Sequence, residues 1–221
     1  MGRITGAVKH LIIINVLFFV ATELYGDQMY QWFSLWFPKN ENFGFWQVVS
    51  HMFMHGGFMH ILFNMYALWA FGSPLERMWG RNKFLFFYFS AGLGAAMIHT
   101  GVNYYYFNQG LEALMATGIP KEQIMDIITG GKYSPNWYNL ASKDTIDNFL
   151  GAYNTPAVGA SGAIYGVLVA FGMSYPNSEL FLMFIPVPVK AKYFIPVLIG
   201  LDLFSGVTGY SIFGNGIAHF A

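Results

Sequence analysis

Three separated segments of the chain carry residue types that could do chemistry together. The first is the run His51-Met-Phe-Met-His55-Gly-Gly-Phe-Met-His60-Ile-Leu-Phe-Asn64. His51 and His55 are four apart, as are His60 and Asn64, so each pair would share one helical face. Gly56-Gly57 should break the helix between the pairs. The second segment is Gly159-Ala160-Ser161-Gly162-Ala163-Ile164-Tyr165-Gly166. A serine among such small neighbours lets a substrate backbone approach closely, and Tyr165 follows one turn later on the same face. The third is His219, near the end of the sequence. A nucleophilic serine needs a general base, and acyl transfer also needs donors for the developing oxyanion. Ser161 and His219 are the candidates for nucleophile and base, and His60 and Asn64 for the donors.

Each of these residues also has a plainer reading. His51 and His55 suit hydrogen bonds to loop backbone. Clustered histidines could chelate zinc, but no acidic residue accompanies them as in the HExxH pattern. No metal and no cofactor is therefore expected. Gly162 and Gly166 form a GxxxG step, which lets a neighbouring helix pack tightly. Taken alone, the serine segment reads first as such a seam. Its last glycine is out of place for the G-x-S-x-G elbow of soluble hydrolases.

The elements that must position these residues follow from composition. Of 221 residues, 55% are hydrophobic and only 10% charged, far below the roughly 25% charged of a soluble domain. A polar coat cannot be built from so few charges, so the chain reads as a polytopic membrane protein. Eleven basic residues balance eleven acidic ones, which gives no field for nucleic acid. The absence of cysteine excludes disulfides and thiolate chemistry.

Val8 to Tyr25 is the first apolar segment, about 27 Å long as a helix. Phe58 to Leu75 is the second, interrupted by His60 and Asn64. Phe84 to Val102 is the third and Ala157 to Tyr175 the fourth. Tyr193 to Phe204 is the core of a fifth, starting near Pro188 and made irregular by Pro186, Pro188 and Pro196. A sixth should begin near Asn215 or Gly216. Because about 20 residues are needed to cross, the sequence is read as truncated inside that last span. The polar stretch of about 103–156 should lie outside lipid. Leu111, Leu114, Met115, Ile119, Ile124, Ile127 and Ile128 recur there at helical spacing, split by Pro120 and ended by Gly130-Gly131. One or two short surface helices are expected, as a solvated decoration or alternatively a substrate-gating or partner site.

Arg3 and Lys9 precede the first span. Arg77, Arg81 and Lys83 crowd the 2–3 loop, and Lys190 and Lys192 the 4–5 loop. The loop of about 26–50 holds only Lys39. The positive-inside rule then places the N-terminus in the cytoplasm. Spans 2, 4 and 6 all start from the outer face, so His60, Asn64, Ser161 and His219 should converge there.

With these residues, the chain resembles the rhomboid family of intramembrane serine proteases over nearly its whole length. The spacing of His51, His55, His60 and Asn64 is similar to the family's second helix. Gly72-Ser-Pro-Leu-Glu76-Arg77 resembles the Gly-x-x-x-Glu-Arg that closes it. Gly159-Ala160-Ser161-Gly162 resembles the nucleophile motif, Tyr165 the tyrosine supporting the catalytic histidine, and Trp46 the loop tryptophan. The arginine frequent beside that tryptophan is Gln47 here, a departure that should matter little if the pair is structural. The resemblance implies an all-α, polytopic membrane helical bundle, a six-helix core in one domain, 1–221, with an outer insertion of about 103–156. It implies a Ser–His dyad with no acidic third member, and an oxyanion hole of Asn64, His60 and the Ser161 backbone. The implied activity is endoproteolysis of transmembrane protein substrates in the lipid bilayer. The location expected is a multi-pass protein of a bacterial plasma membrane, which the lack of any sorting tail fits. Ala218-His219-Phe220-Ala221 fits the catalytic Ala-His-x-Ala pattern. It equally fits the first half of His-x-x-His-x-Gly-Gly, which would put the base just past Ala221. A rhomboid-like pseudoprotease that binds transmembrane helices without cutting is the alternative function. A transporter would leave Gly159 to Gly166 unexplained.

Overall fold

The first apolar run lacks proline and forms α1 (Gly6–Tyr25). The structure, a computed structural model, describes residues 3–182 and 185–208. After α1, Gly26 turns the chain with a φ of 55° into α2 (Asp27–Phe33). A loop then leads to α3 (Gln47–Ser50) and a 3₁₀ turn at His51–Phe53. The second apolar run is α4 (Phe58–Ala67), a π-helical turn at Leu68–Gly72 and α5 (Ser73–Trp79), continuous in backbone. Gly80, at φ 81°, redirects the chain into α6 (Arg81–Met115).

Helix α6 corrects the expected boundary near Val102. It runs for 35 residues, about 52 Å at 1.5 Å per residue. That exceeds the roughly 30 Å of hydrocarbon in a bilayer. The polar and aromatic residues from Asn103 onward change what the helix faces without ending it. Leu111 and Leu114 therefore belong to this long helix rather than to a separate surface helix. Pro120 and Gly130 do bound α7 (Lys121–Thr129), as the pattern indicates. Next come α8 (Trp137–Leu140) and α9 (Lys143–Asn154), the latter capped by the Ser142 side chain. The insertion has a core of its own. Phe107, Leu111, Leu114, Ile124, Ile128, Trp137, Ile146 and Phe149 are all buried in it.

The fourth apolar run starts later than expected, as α10 (Ser161–Ser174). A hairpin follows, β1 (Glu179–Leu182) against β2 (Ile185–Lys190), with Glu179 opposite Lys190. Pro186 and Pro188 lie in β2 rather than in a helix. A two-stranded sheet is all edge, where proline is tolerated. The fifth run is α11 (Ala191–Thr208), with Pro196 inside it. The chain is thus mostly helical, with one small sheet that the all-α expectation lacked. Helices α1 and α6 are long and apolar enough to cross a membrane, while α10 is a shorter apolar helix. The expected sixth span and His219 lie outside the described residues.

The basic ends of the apolar helices gather together. Arg77 Nη1 donates to Arg3 O at 2.8 Å. Glu76 accepts from the amides of Ala7 at 2.8 Å and Val8 at 3.0 Å, and from the Thr5 hydroxyl. A carboxylate from α5 thereby caps α1, whose first amides have no partner inside the helix. This is the structural work of the Glu76-Arg77 pair.

Candidate active site

The serine helix is held by its small residues. A Cβ on Gly162 would stand 2.4 Å from Ala95 Cβ, and one on Gly166 would stand 2.6 Å from Ala91 Cβ. Ala91 and Ala95 are one turn apart on α6, so a GxxxG face of α10 lies on a small-residue face of α6. The expected seam exists, and the serine stands at one end of it. Ser161 is the first residue of α10 and is buried. Its amide belongs to the first turn, where N–H groups have no helical acceptor and the helix dipole is positive. Tyr165 sits one turn on, half-buried against the core.

Before Ser161 the backbone is tied at two points. Ala157 exchanges both backbone hydrogen bonds with Leu35, each 2.9 Å, and the Gly159 amide donates to His51 O at 2.9 Å. Gly159 has φ 121°, a conformation that costs any L-residue strain. It also leaves open a necessary space. A Cβ there would stand 2.9 Å from His60 Nε2 and 3.5 Å from Ser161 Oγ. The imidazole and the hydroxyl thus both border the space that a side chain at Gly159 would fill.

His60 is oriented by its own loop. The Gly56 amide donates to His60 Nδ1 at 3.3 Å. A ring nitrogen that accepts carries no hydrogen, so the neutral ring holds its proton on Nε2. This tautomer directs an N–H at the Gly159–Ser161 side. Asn64, one turn further along α4, is buried and donates from Nδ2 to His60 O at 2.9 Å. The amide has a second Nδ2 hydrogen, and α4 packs against α10. Of the expected site residues, Ser161 and His60 are brought together. Asn64 and Tyr165 lie one turn from them on the same two helices.

His51 and His55 do not share a helical face, because the helix stops at Phe53 and His55 is in the loop. Each ring instead bonds backbone, His51 Nδ1 with Gln47 O at 2.8 Å and His55 Nδ1 with Phe53 O at 3.3 Å. The His55 ring packs edge-on against His60, with centroids 4.9 Å apart. Among the described residues, no three His, Asp or Glu side chains converge as a metal site.

Two positions gain importance that sequence reasoning did not give them. Gln47 is wholly buried, and its Nε2 donates to Gln31 O at 3.0 Å and Asn42 O at 2.7 Å. It pins the loop that carries Trp46, whose indole N–H donates to Trp32 O at 2.6 Å. Gln47 thus joins the Gln31–Trp32 backbone to the Asn42 loop. His99, inside the third apolar run, pairs with Asn103 at 3.0 Å and lies near His51. Its signal was present, since an ionisable residue inside a span normally has a partner.

A family model for the Rhomboid domain matches residues 42–119, which supports membership of the rhomboid family. The matched stretch holds His51, His55, His60, Asn64, Glu76 and Arg77, and it ends before Ser161.

Proposed function

We propose that this rhomboid-family chain is an intramembrane serine endopeptidase acting on transmembrane substrate proteins. The observation that supports it most is that the His60 ring and the Ser161 hydroxyl border one space at Gly159, at the start of α10. In this reading Ser161 Oγ attacks the scissile carbonyl carbon, and its proton passes to a histidine base, for which His219 is the candidate. The carbonyl oxygen takes the negative charge. The Ser161 amide, His60 Nε2–H and the Asn64 side chain donate to that oxygen. Such donors act on charge that develops only in the transition state, and losing one typically costs about 10²–10³ in rate. The C–N bond then breaks and the base returns its proton to the leaving amine. Water repeats the sequence on the acyl-enzyme, which releases the acid and restores Ser161. Tyr165 supports the base from the next turn.

The Tyr175 hydroxyl, just past the end of α10, donates to Pro74 O at 3.4 Å, so the far end of α10 lies by α5 and its basic residues, and Ser161 stands at the other end of the helix. With those basic residues in the cytoplasm, cleavage occurs toward the outer face.

Cleavage of a model transmembrane substrate in proteoliposomes tests the reading. Ser161→Ala should abolish cleavage while leaving the protein folded. If Ser161→Ala still cleaves, the serine mechanism is wrong. If both forms bind the substrate and neither cuts it, the chain is a helix-binding pseudoprotease.

A further inference from the structure

The insertion is bound to the nucleophile loop through a second loop far away in sequence. Helix α9 ends at Asn154, a few residues before Ser161. The last carbonyls of a helix lack internal partners, and that of Tyr153 accepts from Asn40 Nδ2 at 2.8 Å. The Tyr153 hydroxyl donates to Lys39 O at 3.3 Å. Phe37 is buried among Tyr104, Phe107 and Tyr153, with ring centroids 4.8, 4.9 and 6.3 Å away. Lys39 Nζ lies 4.7 Å over the Phe107 ring. A short stretch around residues 35–40 therefore grips the insertion at Phe37, Lys39 and Asn40, and the nucleophile loop at Leu35.

We propose that the insertion, acting through the Asn40–Tyr153 hydrogen bond, positions the 155–160 loop and hence Ser161. This rests on the reading of Ser161 as nucleophile. Besides its ties at Ala157 and Gly159, the loop is held where it leaves α9. It contains Pro156, forms no helix, and must hold Gly159 at a strained φ so that His60 can reach past it. Anchoring at Tyr153 sets where the loop begins. The Leu35–Ala157 pair and the His51–Gly159 bond set its middle. Asn40 is the positioning residue because its amide holds the Tyr153 carbonyl, next to the C-terminal end of α9, against the 35–40 stretch. It does not touch the reacting atoms.

Asn40→Asp isolates this role. The carboxylate keeps the acceptor for the Asn42 amide, a 2.9 Å bond in the native turn, but it cannot donate to Tyr153 O. Two readouts apply to the full-length protein in lipid nanodiscs. Hydrogen exchange should quicken about tenfold at the Ala157 and Gly159 amides, the scale of one lost hydrogen bond, with α6 and α9 unchanged. In the cleavage assay kcat should fall about tenfold at constant KM, and Asn40→Gln, which can still donate, should recover part of the loss. Unchanged exchange at those two amides overturns the proposal, whether or not the protein is a protease. A raised KM at constant kcat also overturns it, since Asn40 would then contact substrate. If exchange quickens in Asn40→Asp while the wild type shows no cleavage, the positioning stands and the protease reading fails.

Discussion

The face of α6 toward α10 and its face toward α7 and α9 are packed with side chains of different size, although Gly110 also makes room for Phe149. Along Ala91, Gly92 and Ala95 the helix meets α10 through the smallest side chains, so close that no added Cβ fits at Gly162 or Gly166. Along Phe107, Leu111 and Leu114 the same helix meets α7 and α9 through large aromatic and aliphatic side chains. Phe107 and Phe149 lie 5.3 Å apart, and Trp137 lies 6.0 Å from Phe149. The difference follows from the surroundings. In lipid, bringing apolar side chains together removes no water from them, so association depends on close van der Waals contact between small residues. In water, large rings contribute through the area they withdraw from solvent. One helix therefore carries a close-contact half that sets the depth of Ser161 and a buried-ring half that anchors the loop leading to it.

The largest expected loss tests the buried-ring half. Phe149→Ala should cost about 3–5 kcal/mol of the insertion's stability, typical for an aromatic side chain lost from a core. Limited proteolysis should then cut within 116–154 while α1 and α10 stay protected. Simultaneous loss of both regions would show that they fold as one unit and would blur the contrast. A smaller loss is expected in the seam. Gly162→Ala forces a Cβ to within 2.4 Å of Ala95 Cβ, an overpacking that costs about 1–3 kcal/mol. Thermal unfolding in lipid should show the shift, and cleavage should fall further than stability because Ser161 moves with its helix. Ala95→Gly should restore part of both, and failure to do so would argue against direct contact. The smallest effect belongs to the insertion's surface. The Lys143–Asp147 pair is exposed, and its hydrogen bond, followed by that from Tyr138, holds the Asp147 carboxyl below its ordinary pKa. A depressed carboxyl stabilises above its unfolded pKa and loses that contribution as pH falls through the folded one. Water screens an exposed pair almost completely, so Lys143→Met should leave the melting temperature unchanged at pH 7 and at pH 3. A clear drop at pH 7 would mean that the pair supports the insertion.

The sequence showed the apolar runs well, because composition records the solvent each residue meets. For the same reason it misplaced the end of α6. From Asn103 to Gln109 the surface of the helix turns from apolar to polar, and a change of surroundings resembles a change of element. Ser161, His60 and Asn64 were proposed from residue type and spacing, whereas the space at Gly159 emerged only with its φ and its neighbours. The hairpin stayed hidden because Pro186 and Pro188 argue against both helix and central strand. Phe37 and Asn40 could not be read at all, and Gln47 only as a departure from the arginine frequent in the family. Their partners lie beyond any local period, and a buried glutamine or asparagine in a loop resembles a solvated one until its acceptors are known.

The central claim is that Ser161 is an activated nucleophile. Labelling the full-length protein in lipid with a fluorophosphonate probe, and mapping the adduct by mass spectrometry, tests it most directly. An activated serine exchanges its hydroxyl proton for a covalent bond to phosphorus and expels fluoride, whereas ordinary serines do not react. The account predicts one adduct, on Ser161, that forms much more slowly in His60→Ala or Asn64→Ala. An unlabelled Ser161 in intact, folded protein, or an adduct on another serine, would contradict it.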